Sequence, residues 1–478
     1  MIEALRVLPF SFWIVIILIG VGFYWSVRNI VMGIGIPVAM VLATVTFWYV
    51  GDVLYNDYTN NHKNLFSPEI LTNAWWLVAL FLVFFLLLTP ALHRWFNGDL
   101  LRQSSQVFFI FKNGVENPRF QRTLTTLFYA VAGVWILLLL GAPFRFKDHF
   151  LNYLFPFLGE HPGPWITSGL AQGKDTLLAL ANYLQIMVGA LFGVIGALST
   201  NPRIRCLALL GVFLTWPFYI LDRTRKSILA IVVPGVLAWI FLRLRGKIIV
   251  QLAILTVLLV GINAWFGFII SKRAELTITT ALSQEGFVFL DSSKEQHQGV
   301  NMFEELCWIT TIVQNGSYSP NLGYNYFANL MNPIPRVLWP GKPTIGLDYA
   351  IARGLGGGDS EAGVYATLSN GLIGQGIINF GSFAGPIFAA LLMSLWVCWL
   401  ARLDLTGHQI GHLPLFGLGL IITLSIGRDI TFLEIYPFAF GYTICWWLNR
   451  NYPYHQYISN TGRKLKRKIA QHQPQKKS

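Results

Sequence analysis

Charged side chains are scarce in this sequence. Asp, Glu, Lys and Arg make up only 12% of the 478 residues, whereas 54% are hydrophobic. A soluble protein has roughly 25% charged residues, which it needs to cover its surface. The scarcity excludes an ordinary soluble enzyme and predicts an all-α polytopic integral membrane protein.

Cysteine is rarer still, and the common motifs for metal and nucleotide binding are missing. There is no CxxC, no HExxH, no Walker A sequence and no GxSxG. We therefore expect no disulfide framework, no metal and no cofactor. The sequence has four cysteines: Cys206, Cys307, Cys398 and Cys445.

Long apolar runs are present instead. Two of them, starting at Phe12 and Trp75, continue for about 16 residues without a charge, which nearly crosses the hydrocarbon core of a bilayer. Hydropathy predicts about eleven transmembrane helices (10–12). They are expected near residues 9–27, 30–50, 74–90, 124–143, 176–199, 206–221, 227–242, 248–270, 372–400, 413–427 and 432–449.

The same pattern predicts four regions. An N-terminal transmembrane bundle of about eight spans (1–270) precedes a large extracytoplasmic loop (271–371), the C-terminal transmembrane helices (372–449) and a basic cytoplasmic tail (450–478). Lys and Arg number 20 in the segments that this topology places inside and 9 in the short outside segments. The positive-inside rule therefore predicts a cytoplasmic C-terminus and an N-terminus outside the plasma membrane.

The net charge of +13 does not indicate a nucleic-acid partner. Much of the excess lies in the tail "GRKLKRKIAQHQPQKKS", which directly follows the last predicted span. A basic segment in that place contacts the anionic inner leaflet. No aromatic-basic module accompanies it, so the expected partner is the lipid bilayer and not nucleic acid.

Cations on a short outer loop oppose the positive-inside rule and require an explanation. Arg223, Arg225 and Lys226 lie in "DRTRKSILA", on the predicted outer side of two apolar spans. One interpretation is that they contact outer-leaflet headgroups. The other is an anion site at the start of the next helix, where free N–H groups favour negative charge.

A second outer cation lies between the last two spans. Arg428 and Asp429 occupy a short turn, and Glu434 follows about one helical turn later. The pair either staples the turn as an internal ion pair or presents Arg428 to a ligand, with Asp429 orienting it.

The stretch "NPIPRVLWPGKPTIG" (332–346) stands out in the long loop. Its four prolines exclude a continuous helix and stiffen the backbone around Arg336 and Lys342. A rigidly presented guanidinium can bind a phosphate through two hydrogen bonds. Trp339 suits anchoring at headgroup depth. The alternative is an ordinary proline-rich surface turn.

A glycine-rich stretch follows and carries Arg353, Asp359 and Glu361. It leads into the predicted span at 372–400, in which glycines recur at helical spacing and allow close packing. These glycines include Gly371, Gly374, Gly381 and Gly385. In the first sizeable outer loop lie two acids, Asp52 and Asp57.

The loop sequence "NLGYNYFANLMNPIPRVLWPGKPTIG" resembles the region shared by bacterial O-antigen and oligosaccharide-repeat-unit polymerases of the Wzy type. A Gly-aromatic turn and an apolar helix precede Pro-Arg, an apolar-Trp-Pro step and Lys-Pro. The resemblance covers residues 220–430. The matching positions are Gly323, Tyr324 and Tyr326, then Pro335-Arg336, Leu338-Trp339-Pro340 and Lys342-Pro343.

The resemblance implies a GT-C-like, metal-independent glycosyltransferase of the bacterial plasma membrane. Its substrate would be a polyprenyl-pyrophosphate-linked oligosaccharide, and a chain-length regulator and a flippase would be further partners. Fixed cations would stabilise the pyrophosphate leaving group. The expected catalytic residues are Arg336, Arg225, Arg223, Arg428 and Glu361, and the expected substrate-binding residues are Lys342, Trp339, Tyr324, Tyr326, Arg353 and Lys226.

Several points stay open at the level of sequence. Glu361 is the first choice for a base that activates the acceptor hydroxyl, and Asp359, Glu304, Glu305 and His297 are the alternatives. An O-antigen ligase or another lipid-sugar-dependent transferase fits the same cations with a different acceptor. A flippase or a non-catalytic assembly scaffold fits less well, because no internal repeat is evident.

Overall fold

A computed structural model describes most of the predicted helices. It covers residues 8–30, 33–55, 58, 62–97, 118–141, 174–222, 301–331, 334, 338–343, 346–354, 369–403, 412–428, 430 and 432–451, with scattered residues between 231 and 261. Throughout these ranges the regular structure is helical and contains no strand. The all-α class is therefore confirmed.

The helices of the N-terminal part are α1 (Phe10–Arg28), α2 (Gly35–Val45), α3 (Gly51–Tyr55), α4 (His62–Leu65), α5 (Pro68–Asn97), α6 (Pro118–Leu140), α7 (Lys174–Leu198) and α8 (Pro202–Asp222). A π-helical turn, Thr46–Val50, joins α2 to α3. The later helices are α9 (Met302–Gln314), α10 (Tyr324–Met331), α11 (Leu347–Ala352), α12 (Leu372–Ala401), α13 (His412–Ile426) and α14 (Phe432–Asn451).

Within the described ranges, four helical segments are long and apolar enough to cross a membrane, namely Phe10–Arg28, Gly35–Leu54, Pro68–Phe96 and Leu372–Ala401. Each coincides with a predicted span, which supports the membrane class. Shorter apolar helices at Leu124–Leu140, Leu184–Leu198 and Leu415–Ile426 also coincide with predicted spans. The total of eleven spans and the GT-C arrangement stay predictions.

The first two spans form an antiparallel pair. Ser26 near the end of α1 donates a hydrogen bond to the carbonyl of Gly35 at the start of α2, at 2.5 Å. Gly22 lies against Leu42, where an added Cβ would stand 2.7 Å from a leucine methyl. Small residues at such contacts let membrane helices approach closely. The chain thus returns by α3 to the end of the bundle at which α1 begins.

Helix α5 starts at this same end and runs beside α1. Ser11 donates to the carbonyl of Thr72, and the rings of Phe12 and Trp75 meet edge to face with centroids 4.9 Å apart. We call this end of the bundle the loop end. The predicted topology places the loop end on the extracytoplasmic side of the membrane.

The long predicted loop contributes to the hydrophobic core. Helix α9 buries Phe303, Leu306 and Ile309, which belong to the same core cluster as the spans. Phe303 stacks on Trp75 with ring centroids 4.2 Å apart. The described helix α9 of the predicted loop is therefore packed into the loop end.

Helix α12 is broken at Gly381, whose φ of 81° and ψ of 174° are not helical. Gly376 and Gly385 lie in contact, since a Cβ added to Gly385 would stand 2.5 Å from the carbonyl carbon of Gly376. Nine residues of unbroken helix would separate them by about 14 Å. Residues 372–380 therefore fold back on residues 382–401 as a helical hairpin, and the predicted single span at 372–400 is two pieces.

Helices α13 and α14 pack against the spans and this hairpin. Trp48 donates to the carbonyl of Leu424 in α13, at 2.8 Å. Trp396 of α12 donates to Thr423 at 2.9 Å and contacts Phe438 of α14. Gln375 accepts from the N–H of Ile430 and donates to its carbonyl, which ties the hairpin to the turn before α14.

Candidate functional site

Several polar side chains are buried together at the loop end, where α3, α4, α9 and α11 meet. Buried polar groups need partners, so a concentration of them in an apolar protein requires a reason. We call this group the polar cluster. Its members are Asp52, His62, Glu304, Glu305, Tyr349 and Arg353.

Asp52 joins the second span to the long loop. Its side chain is fully buried, and its Oδ2 accepts hydrogen bonds from the N–H groups of Phe303 and Glu304, at 2.8 and 2.9 Å. The first N–H groups of a helix have no partner within it, and the N-cap residue Asn301 supplies no side-chain bond to α9. Asp52 therefore caps α9 from a position 251 residues earlier.

Replacing Asp52 by alanine is expected to lower the free energy of unfolding by about 3 kcal/mol. Two buried N–H groups would lose a charged acceptor and gain no water in its place. The measurement is equilibrium unfolding of the purified protein in mixed micelles. The exposed Glu69 at the start of α5 supplies the matched control, because Glu69→Ala should be neutral. Equal stability of the Asp52→Ala protein and wild type would contradict the capping role.

His62 lies next to Asp52 in the polar cluster. Its ring is 1% exposed, its Nε2 lies 3.6 Å from Asp52 Oδ1, and it stacks on Tyr58 with centroids 5.8 Å apart. Within the described chain, neither ring nitrogen has a hydrogen-bond partner. Burial raises the pKa of the Tyr58 phenol to about 12, so it stays protonated at neutral pH.

Glu305 occupies the other side. Its Oε1 accepts a short hydrogen bond from the Tyr349 hydroxyl and lies 3.7 Å from Arg353 Nε. Burial raises the pKa of the Glu305 carboxyl, while Tyr349 and Arg353 act in the opposite direction and offset part of the rise. Burial also raises the pKa of Tyr349, which keeps the phenol protonated and able to donate.

Arg353 lies over the face of Trp308, with Cζ 3.8 Å from the ring centroid. A guanidinium in this position is held by a cation–π interaction. The Arg353 side chain is 19% exposed, whereas that of Glu305 is 4% exposed. Arg353 is therefore the more accessible partner of this ion pair.

A second hydrogen-bond network fixes α11, which carries Tyr349. Asp348 accepts from the Tyr318 hydroxyl at 2.6 Å and from Asn321 at 3.0 Å on one oxygen, and from Asn325 at 3.4 Å on the other. Burial and the Asp348 carboxylate raise the pKa of Tyr318, so this donor also stays protonated. The network holds α11 where Tyr349 reaches Glu305.

Of the expected catalytic and substrate-binding residues, Arg353 is the one that the described ranges place in the polar cluster. Glu304 and Glu305, two of the alternative bases, also belong to it. Arg428 lies at the same end: its side chain is exposed and donates to Ser369 at 2.8 Å, and its carbonyl accepts from Gly371 at 2.9 Å. Gly371 in turn lies against the hydroxyl of Tyr49, three residues before Asp52.

The proline-rich stretch forms a closed turn where it is described. The Lys342 N–H donates to the carbonyl of Trp339 at 3.1 Å, and Lys342 Nζ donates to the carbonyl of Ile334 at 3.0 Å. Trp339 is half-buried, and Tyr324 is exposed. Tyr326 is buried against Phe380 and Phe388, so its ring contributes to packing, and its role in substrate binding stays a prediction.

The other predicted site residues lie outside the described ranges, and their convergence on one ligand stays a prediction. They are Arg223, Arg225, Lys226, Arg336 and Glu361. The same holds for Asp57, His297, Asp359 and Asp429. No metal-binding group of three or more His, Cys, Asp or Glu residues occurs in the part that the structure describes. The cysteines Cys206, Cys307, Cys398 and Cys445 are all free.

Three residues of the site were not predicted from sequence: His62, Trp308 and Tyr349. His62 stands in a polar outer loop, and Trp308 and Tyr349 resemble ordinary apolar helix positions, so no motif marks them. A partial signal did exist for Glu304 and Glu305, because two adjacent acids at the start of an apolar stretch are typical of a helix N-terminus, where negative charge is favoured. Nothing local indicated that Glu305, and not Glu304, would meet Arg353.

No protein-family model, no curated protein and no solved structure matches this chain. The family resemblance of residues 220–430 therefore stays a prediction.

Proposed function

We propose that this protein is a membrane-embedded polymerase of lipid-linked oligosaccharide repeat units, acting at the outer face of the bacterial plasma membrane. It transfers a glycan from polyprenyl pyrophosphate to the free end of another lipid-linked unit. The observation that carries the proposal is the buried polar cluster, in which Glu305 and Arg353 lie together at the loop end. The stretch that resembles the polymerases leads directly into α11, which contributes Tyr349 to the same cluster.

The reaction needs positive charge at the membrane surface. As the bond between the sugar and the pyrophosphate breaks, negative charge grows on the leaving oxygen, and fixed cations stabilise it. Arg336, Arg225, Arg223 and Arg428 are proposed to supply these cations. Lys342 and Arg353 are proposed to bind the remaining phosphate oxygens.

The reaction also needs an acceptor hydroxyl held close to the anomeric carbon. Aromatic residues on the loop, including Trp339 and Tyr324, are proposed to stack against sugar rings and hold the acceptor. Such positioning alone can supply a large share of the rate. An acid residue then takes the proton of the hydroxyl.

The test is reconstitution of the purified protein into phospholipid vesicles with polyprenyl-pyrophosphate-linked oligosaccharide units. We expect a ladder of products of two, three and more repeats on a gel. Single repeats only, in vesicles whose protein is folded and whose substrate is accessible, would contradict the proposal. A ligase would instead move the glycan to an added lipid A–core acceptor without forming a ladder.

A further inference from the structure

We propose that Glu305 is the general base that removes the proton from the acceptor hydroxyl, and that Tyr349 is its positioning residue. This inference rests on the proposed function and assigns the base among the acids of the long loop. Glu361, the first choice from sequence, lies outside the described residues.

The geometry around Glu305 fits a base. Tyr349 donates a hydrogen bond to Oε1, and the Arg353 guanidinium faces the same oxygen, so both contacts favour the ionised carboxylate. The hydrogen bonds from backbone N–H groups to Asp52 fix the start of helix α9, and the hydrogen bonds to Asp348 fix α11. A carboxylate supported from two anchored helices keeps one orientation, which proton transfer requires.

A second observation, separate from the contacts of Glu305, also indicates a ligand: some buried polar groups near the carboxylates have no hydrogen-bond partner. Both nitrogens of the buried His62 ring lack a hydrogen bond among the described residues, and Nε2 faces Asp52. Trp308 Nε1, on the Glu305 side, also lacks a hydrogen bond among the described residues. Buried donors and acceptors are seldom left unpaired where only packing is at stake. Sugar hydroxyls are able to satisfy such groups, because each donates and accepts.

The Glu305 side chain is only 4% exposed, so the acceptor can reach it only if a neighbouring group moves. We expect that group to be Arg353. Its guanidinium covers Glu305, held by stacking on Trp308 and by one ion pair at 3.7 Å. A pyrophosphate competes with Glu305 for this guanidinium. When Arg353 turns to the pyrophosphate, Glu305 is uncovered and loses the nearby positive charge, which makes it a stronger base.

The proton and electron balance closes without a further reactant. The acceptor hydroxyl oxygen forms a bond to the anomeric carbon of the donor as the bond from that carbon to the pyrophosphate oxygen breaks. The bonding electron pair leaves with the pyrophosphate. The hydroxyl proton passes to a Glu305 carboxylate oxygen and is released to water after the product departs.

The first experiment uses Glu305→Gln in the reconstituted vesicles. The amide keeps the size of the side chain and an oxygen that accepts from Tyr349, but it cannot take a proton. We expect the rate of ladder formation to fall about 100-fold or more, with unchanged thermal stability. Glu69→Gln, at an exposed carboxyl on the same side of the membrane, should keep the wild-type rate.

The second experiment uses the pH dependence of the rate in Tyr349→Phe. The wild-type rate should rise with pH as the Glu305 carboxyl loses its proton. The hydrogen bond from Tyr349 lowers the pKa of Glu305, so its removal raises that pKa. The rise in rate should therefore move to higher pH in the variant, whereas a purely structural role of Tyr349 would lower the rate equally at every pH.

The outcomes separate the two proposals. A wild-type protein that forms no ladder overturns the proposed function itself. A wild-type ladder with full activity in Glu305→Gln, or a 100-fold loss in Glu304→Gln and none in Glu305→Gln, overturns the assignment of the base. If Glu305→Gln does not fold, an unshifted pH profile in Tyr349→Phe still overturns it.

Discussion

Alanine at Arg336 is expected to stop chain growth and leave single-repeat products at normal protein levels. The guanidinium is proposed to bind the pyrophosphate as charge develops on it, and loss of one such donor costs about 10²–10³ in rate. Among the described residues of the same stretch, Lys342 bonds to the carbonyls of Ile334 and Trp339. Arg225→Ala should give the same product pattern. The measurement is glycan length on a gel.

Two further variants test whether the guanidinium of Arg336 itself is needed. Arg336→Lys keeps the charge but loses the paired donors of the guanidinium, so its rate should fall between those of wild type and alanine. Arg402 is exposed directly after the C-terminal end of α12 and supplies the matched control. Arg402→Ala should give a normal ladder. A full ladder from Arg336→Ala would remove this arginine from the catalytic residues.

The membrane class and most helix positions could be predicted from sequence, because each depends on local composition. The run that starts at Trp75 gives a predicted span at 74–90, and the structure places Pro68–Asn97 there. The helix is longer at both ends because hydropathy detects only its apolar part. Polar residues such as Glu69 and Arg94 continue the helix without adding to that signal.

The polar cluster could be predicted only in part. The sequence indicated Glu304 and Glu305 as alternative bases and Arg353 as a substrate-binding residue. It marked Asp52 only as an acid in the first sizeable outer loop. Their assembly depends on contacts between residues that are far apart in sequence, such as the 251 positions between Asp52 and Phe303. Periodicity and composition carry no information about such pairs, since they report only on neighbours within a few helical turns. The same limit applies to the burial of α9.

The glycine spacing in α12 correctly predicted close packing, but it did not predict that α12 folds into a helical hairpin. The spacing of Gly374, Gly381 and Gly385 predicted close packing against another helix. Gly385 does pack closely, but against Gly376 of the same segment. A hydropathy window reads residues 372–400 as one span because both pieces are apolar, and a glycine with positive φ leaves no trace in hydropathy.

Valine at Gly385 is expected to open this hairpin and prevent accumulation of the folded protein. Its Cβ would lie 2.5 Å from the Gly376 carbonyl carbon and from the Ile377 nitrogen. Backbone atoms in a helix cannot move aside as a flexible side chain can, so the clash costs about 3 kcal/mol or more. Gln375 and Asn379 would also lose their positions, and with them the bonds to Ile430 and Tyr326. The measurement is the yield and thermal stability of protein extracted from membranes.

The matched control is Gly20→Val, in the middle of α1. An added Cβ at Gly20 meets no atom within 4 Å, and the position is exposed on the surface of the helix bundle. Both variants replace a helical glycine by the same residue, so they differ mainly in the contact across the hairpin. We expect wild-type yield and stability from Gly20→Val and loss of both from Gly385→Val. Equal behaviour of the two variants would show that residues 372–380 do not fold back on residues 382–401.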